Sequence, residues 1–356
     1  MDFSQQFEFY ALFCVMSVVT LVSVVILRRQ FRARSTETSS DYQDATPQAL
    51  KWMTRILGAL WVLDGLLQAQ PSMISNFATD ILAPLASGQP PILKAAVIGG
   101  MKLWSLNPIL WDELATWLQI WIGLAILLGG RSRIRRAGLW ASLVWGLVVW
   151  ISGEALGSIF VHGSWLSGSP GSVLFYMLAA ICLLLPIPFW TSPGAKRAFH
   201  WSFASLWFLS ALLQALPSSG WWNPSLLWAY VESMAEMPQP GILSTPLYAW
   251  ARMLNAHPMT WNTALTGIFV ILGVLWLRKP YSWMTWWISV LVTFATWWLG
   301  QDFGILGGMG TDPNSGAIIL AGLIVYTRLS PGLFQQQQPS STPETTTTPP
   351  VTHKNY

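Results

Sequence analysis

Long apolar runs, nearly free of charge, alternate along this chain with short basic or polar turns. A run of about 17–25 apolar residues is what a helix needs to cross a hydrocarbon core. The runs are continuous and do not alternate with period two, which argues for helices and against a membrane barrel. Nine spans are predicted: Phe9–Leu27, Arg55–Pro71, Leu114–Gly130, Ala137–Gly153, Val173–Trp190, Phe199–Leu216, Trp261–Leu277, Tyr281–Leu299 and Gly316–Leu329, the last being short. The expected fold class is all-α integral membrane, with an anchor helix over residues 1–34 and a linker over 35–50. Two four-helix membrane repeats follow, over 51–191 and 192–333. The tail, 334–356, holds QQQQPSSTPETTTTPP and reads as disordered.

The repeats rest on residue matches. Leu60, Trp61, Leu63, Leu66, Leu67, Gln68, Ala69, Pro71 and Ser72 recur as Leu206, Trp207, Leu209, Leu212, Leu213, Gln214, Ala215, Pro217 and Ser218. Pro108 and Trp111 map to Pro258 and Trp261, and Gly123 maps to Gly273. Trp150, Gly153 and Gly157 map to Trp297, Gly300 and Gly304, and Pro170 maps to Pro313. Four spans per copy place both copies in the same orientation, parallel and not inverted. Each copy also holds a long segment between its first two spans, Ser72–Glu113 and Ser218–Thr260. Apolar stretches within them, Ile92–Trp104 and Pro224–Met234, predict short amphipathic helices lying on the interface.

Charge orients the chain. Under nine spans, 16 of the 19 Lys and Arg fall on one side; only Lys94, Lys102 and Arg252 fall on the other. The positive-inside rule makes the rich side cytoplasmic, with the N-terminus outside and the C-terminus inside. The first span is preceded by Asp2 and Glu8 and followed by Arg28 and Arg29, the reverse of a secretory signal. It reads as an uncleaved anchor in an integral cell-membrane protein.

Composition agrees: 53% of residues are hydrophobic and 10% charged, against about 25% charged in soluble proteins. The positive excess is explained by topology, so no nucleic-acid partner is expected; the lipid bilayer is. The 24 Trp, including the pairs Trp221-Trp222, Trp286-Trp287 and Trp297-Trp298, read mainly as headgroup-level anchors, with stacking on a flat lipophile as the alternative for a few. Cys14 and Cys182 form no CxxC and no metal spacing.

The segment LQIWIGLAILLGGRSRIRRAGLWASLVWGLVVW, Leu118–Trp150, resembles the middle hairpin of DoxX-like membrane proteins: an apolar helix ending in Gly, a basic turn, and a second Gly-containing helix. RILGALWVLDGLLQ, Arg55–Gln68, resembles the first helix of that family. The resemblance implies a four-helix membrane bundle, here in tandem. Because some members belong to quinone-linked sulfur-oxidising enzymes, it also implies quinone as a candidate cofactor.

Polar residues in or beside the spans are candidates for binding a ligand or handling protons, because charge in a bilayer is costly unless paired, protonated or facing water. Asp64 and Gln68 lie four apart, on one helix face; their equivalents are Ser210 and Gln214. Glu154 follows a span within WISGEALGSIF and corresponds to Gln301 in WWLGQDFGILG, where Asp302 adds a displaced carboxylate. Gly153, Gly157, Gly300 and Gly304 permit irregular backbone at these stations. His162, eight residues past Glu154, reads first as a loop residue. Interhelical hydrogen bonds are the structural reading of the same Asp and Gln side chains. No Walker loop, dinucleotide fingerprint, haem ligand pair or hydrolytic triad is present, so neither a catalytic residue nor a metal site is assigned and no stand-alone enzyme is expected. Three functions compete: a quinone- or lipophile-binding accessory of a membrane redox system, a small-solute transporter built from two parallel repeats, and a non-catalytic scaffold or assembly factor docking a membrane or extracytoplasmic protein.

Overall fold

The computed structural model describes residues 3–35, 47–130, 132–306, 310–331 and 333, with side chains of the first helix described from Phe7 to Ile26. Most of the expected linker, 36–46, and the tail from 334 lie outside the described residues. Among those described, every regular element is helical and none is a strand. The longer helices are α1 (Phe3–Ser35), α2 (Gln48–Gln68), α3 (Pro91–Leu106), α4 (Pro108–Leu128), α5 (Arg133–Val148) and α6 (Ser172–Leu184) in the first half. The second half holds α7 (Pro193–Ala215), α8 (Leu226–Ala235), α9 (Gly241–Ala256), α10 (Pro258–Arg278), α11 (Trp283–Leu299) and α12 (Asn314–Leu329). Among the described residues four helical segments are long and apolar enough to cross a membrane: Phe7–Ile26, Pro108–Leu128, Arg133–Gly153 and Pro258–Arg278.

Helix starts follow local chemistry. Pro91, Pro108, Pro193 and Pro258 stand first in their helices, where a missing N–H removes no internal bond and φ is already helical. Asn107 caps α4 by accepting from the Leu110 N–H, and Ser132 caps α5 through the Ile134 N–H. Some boundaries depart from expectation. The helix containing Arg55 begins at Gln48, inside the segment assigned to the linker. The helix expected from Leu114 begins at Pro108, so Asp112 and Glu113 are helical and buried, not part of an external segment. The run Val173–Trp190 is broken: α6 ends at Leu184, Pro186 follows, and a short helix covers Ile187–Thr191.

The buried core is mostly hydrophobic, but one helix turns polar residues inward and apolar residues outward. Along α11, Thr285, Ser289 and Thr293 are fully buried at four-residue spacing, while Trp287, Leu291 and Phe294 are exposed. This inverts the pattern of a helix on a soluble protein and is what a lipid-facing surface requires. Several Trp correct the anchoring expectation. Trp61, Trp165, Trp207, Trp221 and Trp276 are among the most deeply buried side chains. Hydroxyls satisfy three of these N–H groups: Trp61 donates to Ser142, Trp276 to Ser289, and Trp165 to Thr296; Trp221 donates to the Gly163 carbonyl.

The closest packing in the first half is α2 against α4, and in the second α7 against α10. Helix α12 then packs on both α2 and α6, joining the halves. At the α2–α4 crossing a Cβ on Gly123 would lie 2.5 Å from the Gly58 carbonyl oxygen, so the two backbones touch. Gly123→Ala is expected to push these helices apart and cost about 1–3 kcal/mol. Gly267→Ala on α10, where a Cβ meets nothing within 4 Å, is expected to be neutral or to stabilise by up to about 1 kcal/mol. Thermal unfolding in detergent, read by Trp fluorescence, separates the two.

Candidate functional site

Acids and tryptophans converge on one cavity in the first half. It encloses about 330 Å³, and α2, α3, α4 and the end of α5 form most of its wall. Trp61, Trp104, Trp111 and Trp145 line it, with Asp64, Gln68, Glu154 and Asp312 as polar stations. Among the described residues neither Lys nor Arg borders it.

The geometry around Glu154 follows from a broken helix end. After α5 the chain makes a π-helical turn, Val149–Gly153, and then runs left-handed through Ala155, Leu156 and Gly157. Asp302, Phe303 and Gly304 are left-handed in the same sequence after α11. Trp150 donates to the Pro170 carbonyl at 2.9 Å, and Trp297 to the Pro313 carbonyl at 2.7 Å. These turns release the following side chains from helical register and direct them to the start of the next helix. Glu154 Oε1 accepts from the Ser172 hydroxyl at 2.9 Å and from the Val173 N–H at 3.4 Å. Gln301 Oε1 accepts from the Gly316 N–H at 3.0 Å.

Asp312 is the functional candidate that sequence reading missed. It borders the cavity beside Glu154, its Oδ1 accepts from the Asn314 N–H at 2.6 Å, and its Oδ2 accepts from the Thr311 hydroxyl at 3.5 Å. Burial holds both Glu154 and Asp312 above the ordinary carboxylate range, and for Glu154 the nearby Asp312 charge adds to the shift.

The other candidates separate into two groups. Asp64 is 2% exposed; its Oδ1 accepts from the Tyr176 hydroxyl at 3.4 Å, and it borders the cavity. Gln68 also borders the cavity but donates to Asp112 Oδ1 at 2.7 Å, binding α2 to α4. Gln214 is the centre of a buried network, donating to Asn262 Oδ1 at 2.6 Å and accepting from Ser164. Gln301 is engaged at both ends of its amide, donating to the Trp165 carbonyl. Gln214 and Gln301 therefore hold helices and loops together, away from the cavity. Exposed His162 meets the Ser219 carbonyl at 2.9 Å through Nδ1 and borders a second, outer cavity of about 400 Å³. Asp302 accepts from Gln239 at 3.0 Å, apart from Glu154 and Asp64. Among the described residues no group of three His, Cys, Asp or Glu could hold a metal ion.

Comparison with known proteins adds no relative: no protein-family model, no curated protein and no solved structure matches the chain.

Burial raises the Asp302 carboxyl to about 6 from 3.8, offset in part by the Gln239 amide. A raised carboxyl stabilises the fold while protonated, so its contribution is full below about pH 4 and is lost as pH rises through about 6. Asp302→Asn removes this loss, and Asn accepts the left-handed backbone at this position. The variant's melting temperature relative to the parent chain is expected to rise across about pH 4–6 and then to hold constant. Melting curves over that range test it.

Proposed function

We propose that this chain is an integral membrane protein that holds a neutral, flat lipophile of the quinone class in the first-half cavity, as an accessory of a membrane redox system. The observation that carries this reading is the convergence of four Trp and three carboxylates on one cavity without a cation. Aromatic walls suit a planar ring system. Uncompensated carboxyls repel an anionic lipid and, when protonated, donate hydrogen bonds to carbonyl oxygens. The resemblance of Leu118–Trp150 to the DoxX-like hairpin points the same way.

The architecture belongs to the same proposal. Nine helices cross the bilayer, one anchor followed by two parallel four-helix repeats, with the N-terminus outside. Each of the nine apolar runs coincides with helix in whole or large part. Matched bonds in the halves support the duplication: Gln68–Asp112 beside Gln214–Asn262, and Trp150–Pro170 beside Trp297–Pro313.

The transporter reading needs a polar route between the copies. The cavity found there, about 440 Å³ between α6, α7 and α12, is lined by no charged side chain among the described residues. The scaffold reading needs every acid paired internally, whereas Glu154 Oε2 has no partner among the described residues.

Quenching of Trp fluorescence by a short-chain benzoquinone, with the protein in nanodiscs, tests the proposal. Saturable quenching is expected. Gly99 borders the cavity and a Cβ there meets nothing within 4 Å, so Gly99→Trp starts a bulky side chain at the cavity wall without a clash at Cβ and is chosen to obstruct the space. Its affinity is expected to fall about tenfold or more, a loss of at least about 1.4 kcal/mol. Equal affinity in the variant removes the cavity from the proposal.

A further inference from the structure

We propose that the apolar cavity between α6, α7 and α12 is a binding site for an anionic phospholipid, with one acyl chain in the cavity and the phosphate held by Lys196 and Arg197. The site is separate from the tryptophan-lined cavity and does not depend on the lipophile proposed there. It rests on the reading that the chain spans a bilayer.

The shape of the cavity suits an acyl chain. It holds about 440 Å³. Its wall on α7 runs from Ala198 to Leu209, which at 1.5 Å per residue is about 16 Å of helix. That is about half the thickness of a hydrocarbon core, the depth of one leaflet. Phe203, Leu206 and Ile318 on its wall are buried, whereas Leu178, Trp201 and Leu209 are exposed. The cavity is therefore a groove, closed toward the core and open on the lipid-facing surface.

The two halves treat this seam differently. In the repeat register, Ala198 and Ser202 of α7 correspond to Trp52 and Ile56 of α2. Trp52 and Ile56 pack against the hydrophobic core, and α12 packs on α2. At the matching seam no close backbone packing joins α6 to α7, and the facing side chains include Ala179, Ala198, Ser202 and Gly322. One seam is filled by protein and the other is left open. A gap between helices forfeits the dispersion contacts of the atoms that line it. In a bilayer, acyl chains are the groups at hand to supply them.

Charge selects the headgroup. Lys196 and Arg197 stand near the start of α7, one turn before the lining residues Phe199 and Trp201. Among the described residues neither has an ion-pair partner, and no carboxylate lines the groove. Basic side chains between membrane helices bind acidic lipid headgroups. The exposed indole of Trp201 belongs at the same headgroup level. A phosphate diester matches the two cations, whereas phosphatidylcholine brings a further cation beside them. The tail of this chain is no substitute, because QQQQPSSTPETTTTPP contains no apolar run.

The test uses the full chain in mild detergent, depleted of lipid and then titrated with dioleoylphosphatidylglycerol or dioleoylphosphatidylcholine. Native mass spectrometry reads the first lipid bound. The parent chain is expected to bind the first phosphatidylglycerol about tenfold more tightly than phosphatidylcholine. Lys196→Gln combined with Arg197→Gln is expected to equalise the two lipids. Ala198→Trp combined with Ser202→Ile, which copies the first half, is expected to weaken the first phosphatidylglycerol about tenfold or more. Gly322→Leu, from the opposite wall, is expected to act likewise and keeps the test available if that variant does not fold. Equal binding of both lipids to the parent chain overturns the proposal, as does unchanged phosphatidylglycerol binding in a folded variant with the groove filled. A phosphatidylglycerol preference that survives loss of both cations overturns the headgroup assignment. A phosphate-free adduct, or a dimer, that disappears when the groove is filled also overturns the proposal, by giving the groove to a neutral lipophile or to a second copy of the chain.

Discussion

An amide or carboxyl side chain inside an apolar helix bundle must find a partner on a neighbouring helix, because neither lipid nor hydrocarbon side chains will supply one. In this protein that requirement sets the register of the bundle. Gln68 on α2 reaches Asp112 on α4, and Gln214 on α7 reaches Asn262 on α10. The first reach is possible because Gly58 and Gly123 let the backbones of α2 and α4 touch. Once that register is set, Trp61, Asp64 and Gln68 face the same interior space, and the rest of the site is built against them.

The halves spend their polar groups differently. In the second half the amides of Gln214 and Gln301 are bonded at both ends, and Trp207 stacks on Phe269 while Phe203 stacks on Trp276. Both amides are thereby engaged in holding elements together. In the first half the corresponding stations carry acids, Asp64 for Ser210 and Glu154 for Gln301, and the acids border open space. One contribution crosses between halves: Asp312, from the loop before α12, closes the first-half cavity because α12 packs on α2 and α6.

Much of this was legible in the residues. Apolar run length located the helices, and the matched Gln, Gly and Pro stations pointed to Gln68 and Glu154 and to their repeat equivalents Gln214 and Gln301. Three features were not legible, each for a physical reason. Asp112 and Glu113 lie before the hydrophobic run they belong to, so hydropathy places them outside a helix that Pro108 in fact begins. Asp312 sits in a loop, and only tertiary packing brings it to Glu154. Trp61, Trp165 and Trp276 resemble interfacial Trp in sequence, since the Ser and Thr hydroxyls that receive their N–H groups lie 13 to 131 residues away.

Native mass spectrometry of the full chain, released from mild detergent beside its Gly99→Trp variant, tests most directly whether the first-half cavity holds a neutral lipophile. The expected result is one added neutral mass per parent chain, with a quinone absorbance on extraction, absent from the variant. An unliganded parent chain, or the same adduct on both proteins, would contradict it.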